Sequence, residues 1–229
     1  MLNCFHILTL QFTPTNMPIM VKPMSTWLAY RVRNTKQIQE YLPEGMELAP
    51  IRILSGDAAE PKLLLNIYQA KAPFFQGERI EVVTIVKQRN NPRNIHFVVL
   101  DCLSNTLHWD PIHGIRSPNM LSKFQTSENH HQIELKNTQN FFSLNASFGE
   151  RKRITKRFAV DANRLCFYRN SNEAIELKFD EEEVMKDVVS LSKLQLNTNL
   201  WKSFRGRLTH SFLHPHSMKF VCNLKNICD

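Results

Sequence analysis

At 229 residues, with 42% hydrophobic and 22% charged residues and a formal net charge of +8, the chain has the composition of a folded protein rather than a disordered one. No apolar run reaches the roughly 18–20 residues that a helical membrane span needs. The five cysteines (Cys4, Cys102, Cys166, Cys222 and Cys228) form no CxxC pair, which suggests neither a zinc ribbon nor a disulfide framework and favours a reducing cytoplasm.

The N-terminal MLNCFHILTLQF is apolar but lacks a positive start and a small-residue cleavage site, which argues against a signal peptide. With Met17, Met20 and Met24 close behind, residues 1–24 are expected to be a loosely attached arm on a single domain spanning 25–229. Most of that domain reads as strands. TWLAYRV (26–32) alternates; LLLNIYQA (63–70) and RIEVVTIVK (79–87) are joined by the loop KAPFFQGE, and NIHFVVLD (94–101) follows. HQIELK (131–136), NFFSLNASF (140–148), RITKRFAV (153–160), RLCFYRN (164–170) and AIELKFD (174–180) then succeed one another, punctuated by NTQN, FGERK, DAN and NSNE. Many short strands with such turn signals predict an antiparallel sheet or barrel. Two helices are expected: NTKQIQEYLP (34–43), capped by Asn34 and ended by Pro43, and EEEVMKDVVSL (181–191), following Asp180 as cap with acids well placed in its first turn.

The positive charge concentrates in GERKRITKR (149–157) and KSFRGRL (202–208). Only Phe148 and Phe158 flank the first run, whereas nucleic-acid surfaces interleave stacking aromatics with basic residues. A solvated hairpin is therefore preferred to a nucleic-acid interface.

No GxGxxG, P-loop, GxSxG or HExxH occurs, so the large nucleotide-using classes have no support. Three weaker patterns carry chemistry. In QGERIEVV, Glu81 shares a strand face with Arg79 and Val83 while Glu78 lies in the turn. Glu81 is either an inward candidate for acid–base work or a solvent-facing partner of Arg79. In THSFLHPHSMKF, His210, His214 and His216 differ by even numbers, so a strand would project all three from one face. They could then hold zinc or iron with a fourth ligand, or line an edge marked by Pro215. Cys102, with His108 and His113 downstream, fits a structural thiol better than a nucleophile. Beyond it, HWDPIHGIRSPNM (108–120) gathers polar groups where the chain leaves a strand, the usual place for a site.

Three segments in order resemble the acetoacetate decarboxylase-like proteins. WLAYRVRNTKQIQEYLPEGMEL is similar to the family's opening strand, short helix and LPxGxxL turn. LLLNIYQAKAPFFQGERIEVVTIVK matches its GxxxE hairpin at Gly77 and Glu81, and NIHFVVLDCLSNTLHWDPIHGIRSPNM resembles the strand and loop that lead to its active-site turn. The similarity is clearest over 26–124, and RGRLTHSFLHPH is similar to the ending of uncharacterised members of the superfamily. The resemblance implies an α+β, mainly β fold: an antiparallel cone-like β-barrel or meander with a few flanking helices around an apolar pocket. It also implies a Schiff-base lysine, kept neutral by a neighbouring cation or apolar surroundings, just after a proline as Pro-Lys-Lys. Here Pro118 is followed by Asn119, and no lysine stands between Arg93 and Lys123.

The leading expectation is therefore a small-molecule protein of decarboxylase architecture without the family's imine chemistry, taking a small organic acid. Glu81 would move a proton, Arg116 anchor a carboxylate bidentately, Asn119 orient a carbonyl, and His113 share the pocket mouth. The alternatives are a lyase acting on a β-keto acid through Lys123, and a basic protein binding nucleic acid through 149–157. No metal, cofactor or membrane partner is expected; a homo-oligomer stays open.

Overall fold

The computed structural model describes residues 17–54, 56–72, 75–104, 115–116, 120–127, 130–137, 142–154, 165–168, 173–179, 186–198, 202–214 and 217–226. Its strands grow from runs rich in β-branched and aromatic residues, such as EVVTIVK and IHFVVL, which suit a pleated and buried surface. In chain order they are β1 (Met17–Val21), β2 (Ser25–Val32), β3 (Met46–Leu48), β4 (Lys62–Ala72), β5 (Phe75–Gln88), β6 (Ile95–Ser104), β7 (Ile115–Arg116) and β8 (Met120–Ser127). Then come β9 (His130–Asn137), β10 (Phe142–Ile154), β11 (Leu165–Tyr168), β12 (Glu173–Phe179), β13 (Lys186–Thr198), β14 (Arg205–His214) and β15 (Met218–Asn226). Among the described residues the single helix is α1 (Thr35–Gln39), where Asn34 accepts from the Gln37 amide at 3.1 Å and Ile38 is buried. The cap was legible; the helix is shorter than the Pro43 stop suggested.

All fifteen strands join one sheet. One edge of β4 carries β5, and its other edge takes β2 along Lys62–Ile67 and β1 at Ala70–Lys71. From β1 the pairings pass through β15, β12 and β11 to β6, which also pairs β5. They therefore return to their start. From β2 a second branch runs through β14, β13, β10 and β9 to the edge strand β8. Most pairs are antiparallel, but β6 pairs β11 and β7 in parallel, so the sheet is mixed rather than a pure meander. Side chains alternate across β4. Leu63, Leu65 and Ile67 pack with Leu28, Tyr30 and Val32 on one face, whereas Leu64 packs with Ala29, Val83 and Phe212 on the other. Each such fully buried aliphatic side chain contributes about 1.5–3 kcal/mol.

Three expectations change. Residues 17–21 of the expected loose arm form β1, held between β15 and β4 with Ile19 and Val21 buried; residues 1–16 lie outside the described residues. The expected helix over 181–191 is a strand from Lys186 onward, paired along its length with β10. Its acidic start suits a helix N-terminus, but a long ladder outweighs a propensity of tenths of a kcal/mol per residue. FGERK is no turn: β10 continues through it to Ile154, absorbing the irregularity as register shifts around Phe148. The remaining basic residues of that run, Lys156 and Arg157, lie outside the described residues.

Candidate functional site

The β4–β5 hairpin sets the register of the site, placing Asn66 opposite Glu81 and Tyr68 opposite Arg79. Directly paired residues share a face, so the row extends to Cys102 on β6 and, through Trp27 on β2, to Phe212 on β14. Glu81 is inward and only 9% exposed, and Arg79 beside it is 2% exposed. Glu81 Oε1 accepts from Tyr68 OH at 2.8 Å, from Arg79 Nε at 3.1 Å and from Arg79 Nη2 at 3.0 Å. Glu81 Oε2 accepts from Asn66 Nδ2 at 3.4 Å. Arg79 Nη2 also donates to Cys102 Sγ at 3.3 Å, and Asp101 Oδ1 accepts from the Cys102 amide at 2.8 Å.

This is a buried ion pair with its lone pairs taken up, the form in which charge is tolerated inside a protein. Burial above all, reinforced by the negative charge of Glu81, holds the Tyr68 phenol well above its ordinary value. Tyr68 is consequently a donor across the accessible pH range. The buried Oδ1 of Asn66 has no partner among the described residues, and one step along the same face the buried Ser25 Oγ has none either. Buried acceptors of this kind are satisfied in most proteins. The face thus combines a fixed carboxylate, a fixed phenol and spare acceptors, a set suited to orienting a small polar molecule and to moving one proton.

Of the residues singled out from the sequence, Glu81 is at the centre of this cluster. Arg116 stands in β7 opposite Ser104, which is itself opposite Arg79, so register brings the two arginine positions into one row. Lys123 is exposed on β8, opposite the exposed Glu134 of β9. His113 and Asn119 lie outside the described residues. Tyr68, Asn66 and Cys102 were not read as site residues. Counting back from the pairing of Ala72 with Phe75 would have paired the first two with Arg79 and Glu81.

His210 and His214 lie on one face of β14 with Phe212 between them, as the even spacing predicted; His216 is outside the described residues. Among the described residues no group of three or more His, Cys, Asp and Glu side chains is placed to hold a metal ion. His210 stacks on Phe212 with ring centroids 5.7 Å apart, and its Nε2 is 3.4 Å from Asp57 Oδ2. Burial holds the His210 imidazole below its ordinary value of 6.5, outweighing the pull of Asp57. Unfolding therefore lets His210 take up a proton, so its contribution is fully present above about 6.5 and is lost as pH falls through the folded value. Glu60 is held below its ordinary 4.5, first by the hydrogen bond from Lys62, so its contribution is lost only in a lower window. Between about pH 7.5 and pH 5.5, His210→Gln is expected to lose less stability than the unaltered protein in urea melts. Equal losses would remove His210 as the titrating group.

No helix among the described residues is long and apolar enough to cross a membrane. No known family profile matches the sequence, and no curated protein does. Solved structures do match. The acetoacetate decarboxylase of Legionella pneumophila subsp. pneumophila str. Philadelphia 1 superposes with a TM-score of 0.60 at 11% identity, covering 98% of this chain and 94% of that one. A second acetoacetate decarboxylase structure superposes with a TM-score of 0.58 at 10% identity, covering 92% and 89%. Over nearly its whole length, therefore, the chain has an acetoacetate decarboxylase-like fold.

Proposed function

We propose that the protein binds a small organic acid in a pocket of its acetoacetate decarboxylase-like fold, without the Schiff-base chemistry of the enzymes it resembles. The observation that carries this is the buried Arg79–Glu81–Tyr68 cluster, a polar constellation beside an apolar band of the same sheet face. In this reading the circuit of strand pairings encloses the pocket as a cone-like barrel. Tyr68 and Glu81 order the ligand's polar end. Arg116 anchors its carboxylate, as a guanidinium does bidentately. Asn119 orients a carbonyl, and His113 completes the mouth. The substitution of asparagine after Pro118 supports a binder. So does the exposure of Lys123, because an amine bathed in water lacks the dry surroundings that make a lysine a neutral nucleophile.

Acetoacetate is the probe. Calorimetric titration is expected to show a binding event that Tyr68→Phe weakens about tenfold, the equivalent of ~1.4 kcal/mol. Borohydride reduction in the presence of acetoacetate or pyruvate, followed by mass mapping, is expected to leave no adduct. A reduced adduct on Lys123 would replace the binder with a lyase that forms its imine there, and absence of any binding heat would remove the organic-acid reading itself.

A further inference from the structure

A second polar cluster lies on the same face of β4, beyond the apolar band of Ala29, Leu64 and Val83. Its centre is Lys62, four residues from Asn66 and so about 13 Å away along the strand. Lys62 is only 2% exposed. Its Nζ donates to Glu60 Oε1 at 2.6 Å and to Thr209 Oγ1 at 3.2 Å, and Thr209 Oγ1 donates to the Ala29 carbonyl at 3.0 Å. The other oxygen of Glu60 meets Arg31 Nε at 2.8 Å. Glu60 is thus shared by two cations, and one ammonium proton of Lys62 has no partner among the described residues. Asp57 is occupied by the Leu54 amide at 2.8 Å and by His210.

Of these residues Asp57, Glu60, Lys62, Thr209 and His210, with Ala58 and Arg207, line an open cleft of about 280 Å³, close to the lower end of the range for small-molecule sites. Arg207 is exposed and makes no ion pair among the described residues. Irregular backbone places it there. β14 slips register against β2 twice, between Arg205 and Leu208 and again between Leu208 and His210, so β14 carries an extra residue at each step. Bulges of this kind re-aim side chains and gather next to sites. The first is possible because residue 206 is glycine: a Cβ there would come within 2.6 Å of the Arg31 carbonyl oxygen. The lining charges of Lys62 and Arg207 balance those of Glu60 and Asp57, and Arg31, paired with Glu60 from outside the lining, leaves an excess of one positive charge; the spare donors belong to Lys62 and Arg207. A monoanion balances that excess. A phosphate dianion would meet the two carboxylates as well.

From this geometry we propose that the Lys62–Arg207 cleft is a binding site for a small monocarboxylate, separate from the Glu81 site. The carboxylate takes the fork of Arg207 and the remaining ammonium proton of Lys62, with Thr209 and His210 as walls.

Sodium lactate is the probe, titrated calorimetrically into the full chain at ionic strength fixed with chloride. The expected result is one binding event from this cleft that Arg207→Gln weakens at least tenfold. Lys219→Gln, which removes an exposed charge on β15, should leave it within twofold, as should Tyr68→Phe. Lys62→Met tests the floor of the cleft in the same way, with its far-ultraviolet circular dichroism and melting curve showing that it folds. Lactate binding lost in Tyr68→Phe but kept in Arg207→Gln would place the ligand at the Glu81 site, overturning this inference while supporting the proposed function. Equal weakening by Lys219→Gln would reduce it to general electrostatics. Tighter binding of inorganic phosphate than of lactate, or no heat with lactate, would also overturn it.

Discussion

Glu81→Ala is expected to destabilise the protein by about 3–5 kcal/mol, because it removes the carboxylate from a guanidinium that is already out of water. The reason lies in what stays behind. Arg79 is 2% exposed and cannot lose its charge, so the substitution leaves its desolvation in place and takes away the group that offset it. Tyr68 and Asn66 lose the same acceptor at once. Urea denaturation would register this as a fall in midpoint at constant slope. Replacing both charges, as Arg79→Met with Glu81→Leu, should be much milder than either single change, since removing a buried pair together is close to neutral. Because the double change is expected to cost less than either single one, a double-mutant cycle between the two positions is expected to give a coupling of about 3 kcal/mol or more. A single Glu81→Ala effect below 1 kcal/mol would mean that water screens the pair, and that the cluster is not the dry site described.

How far these features could be read from the sequence depends on how local each one is. The main strands from 26 to 101 and the cap at Asn34 follow from alternation and turn chemistry within a few residues, and they were legible, whereas the expected loop over 71–78 is mostly strand and Glu78 pairs with Gln69 rather than lying in the turn. Glu81 was legible as a candidate because the GxxxE hairpin carries it. Its surroundings were not, because Tyr68 and Asn66 reach it only through pairing across the hairpin, and Cys102 only through the next strand. Arg79 was weighed as a surface partner of Glu81; the pairing is real, but both lie inside. Lys62 gave no signal, since a lysine at the start of a strand ordinarily faces water. Its burial is decided by Glu60, by Arg31 and by a bulge near Thr209 that lies almost 150 residues further along the chain. The misread helix over 181–191 has the same origin: its local acids favour a helix, and only the distant partner β10 makes it a strand.

The last expectation concerns the band between the two polar clusters. Phe212 is fully buried, packed among Ala29, Leu64, Val83, Val99 and Cys102, and its ring stacks on His210 at 10° between planes. Phe212→Ala should cost about 3–5 kcal/mol, the transfer term of the ring plus the cavity it leaves. For a chain of this length that is a fall in Tm on the order of 10 °C, whereas Phe212→Leu, which keeps most of the volume, should cost about 1.5 kcal/mol or less. The ring has a second consequence that stability alone would not reveal. Desolvation is the first cause of the low His210 value, and Phe212 covers one face of that imidazole. Removing the ring admits water beside His210 and leaves the pull of Asp57 less opposed. The His210 titration, followed by its ring proton resonances, should therefore move up toward or past 6.5 in Phe212→Ala. A collapsed cavity would predict the opposite pair of results, a small loss of stability and an unmoved histidine. The two readouts together thus decide whether the band is a rigid wall between the Glu81 and Lys62 clusters or a filling that its neighbours can replace.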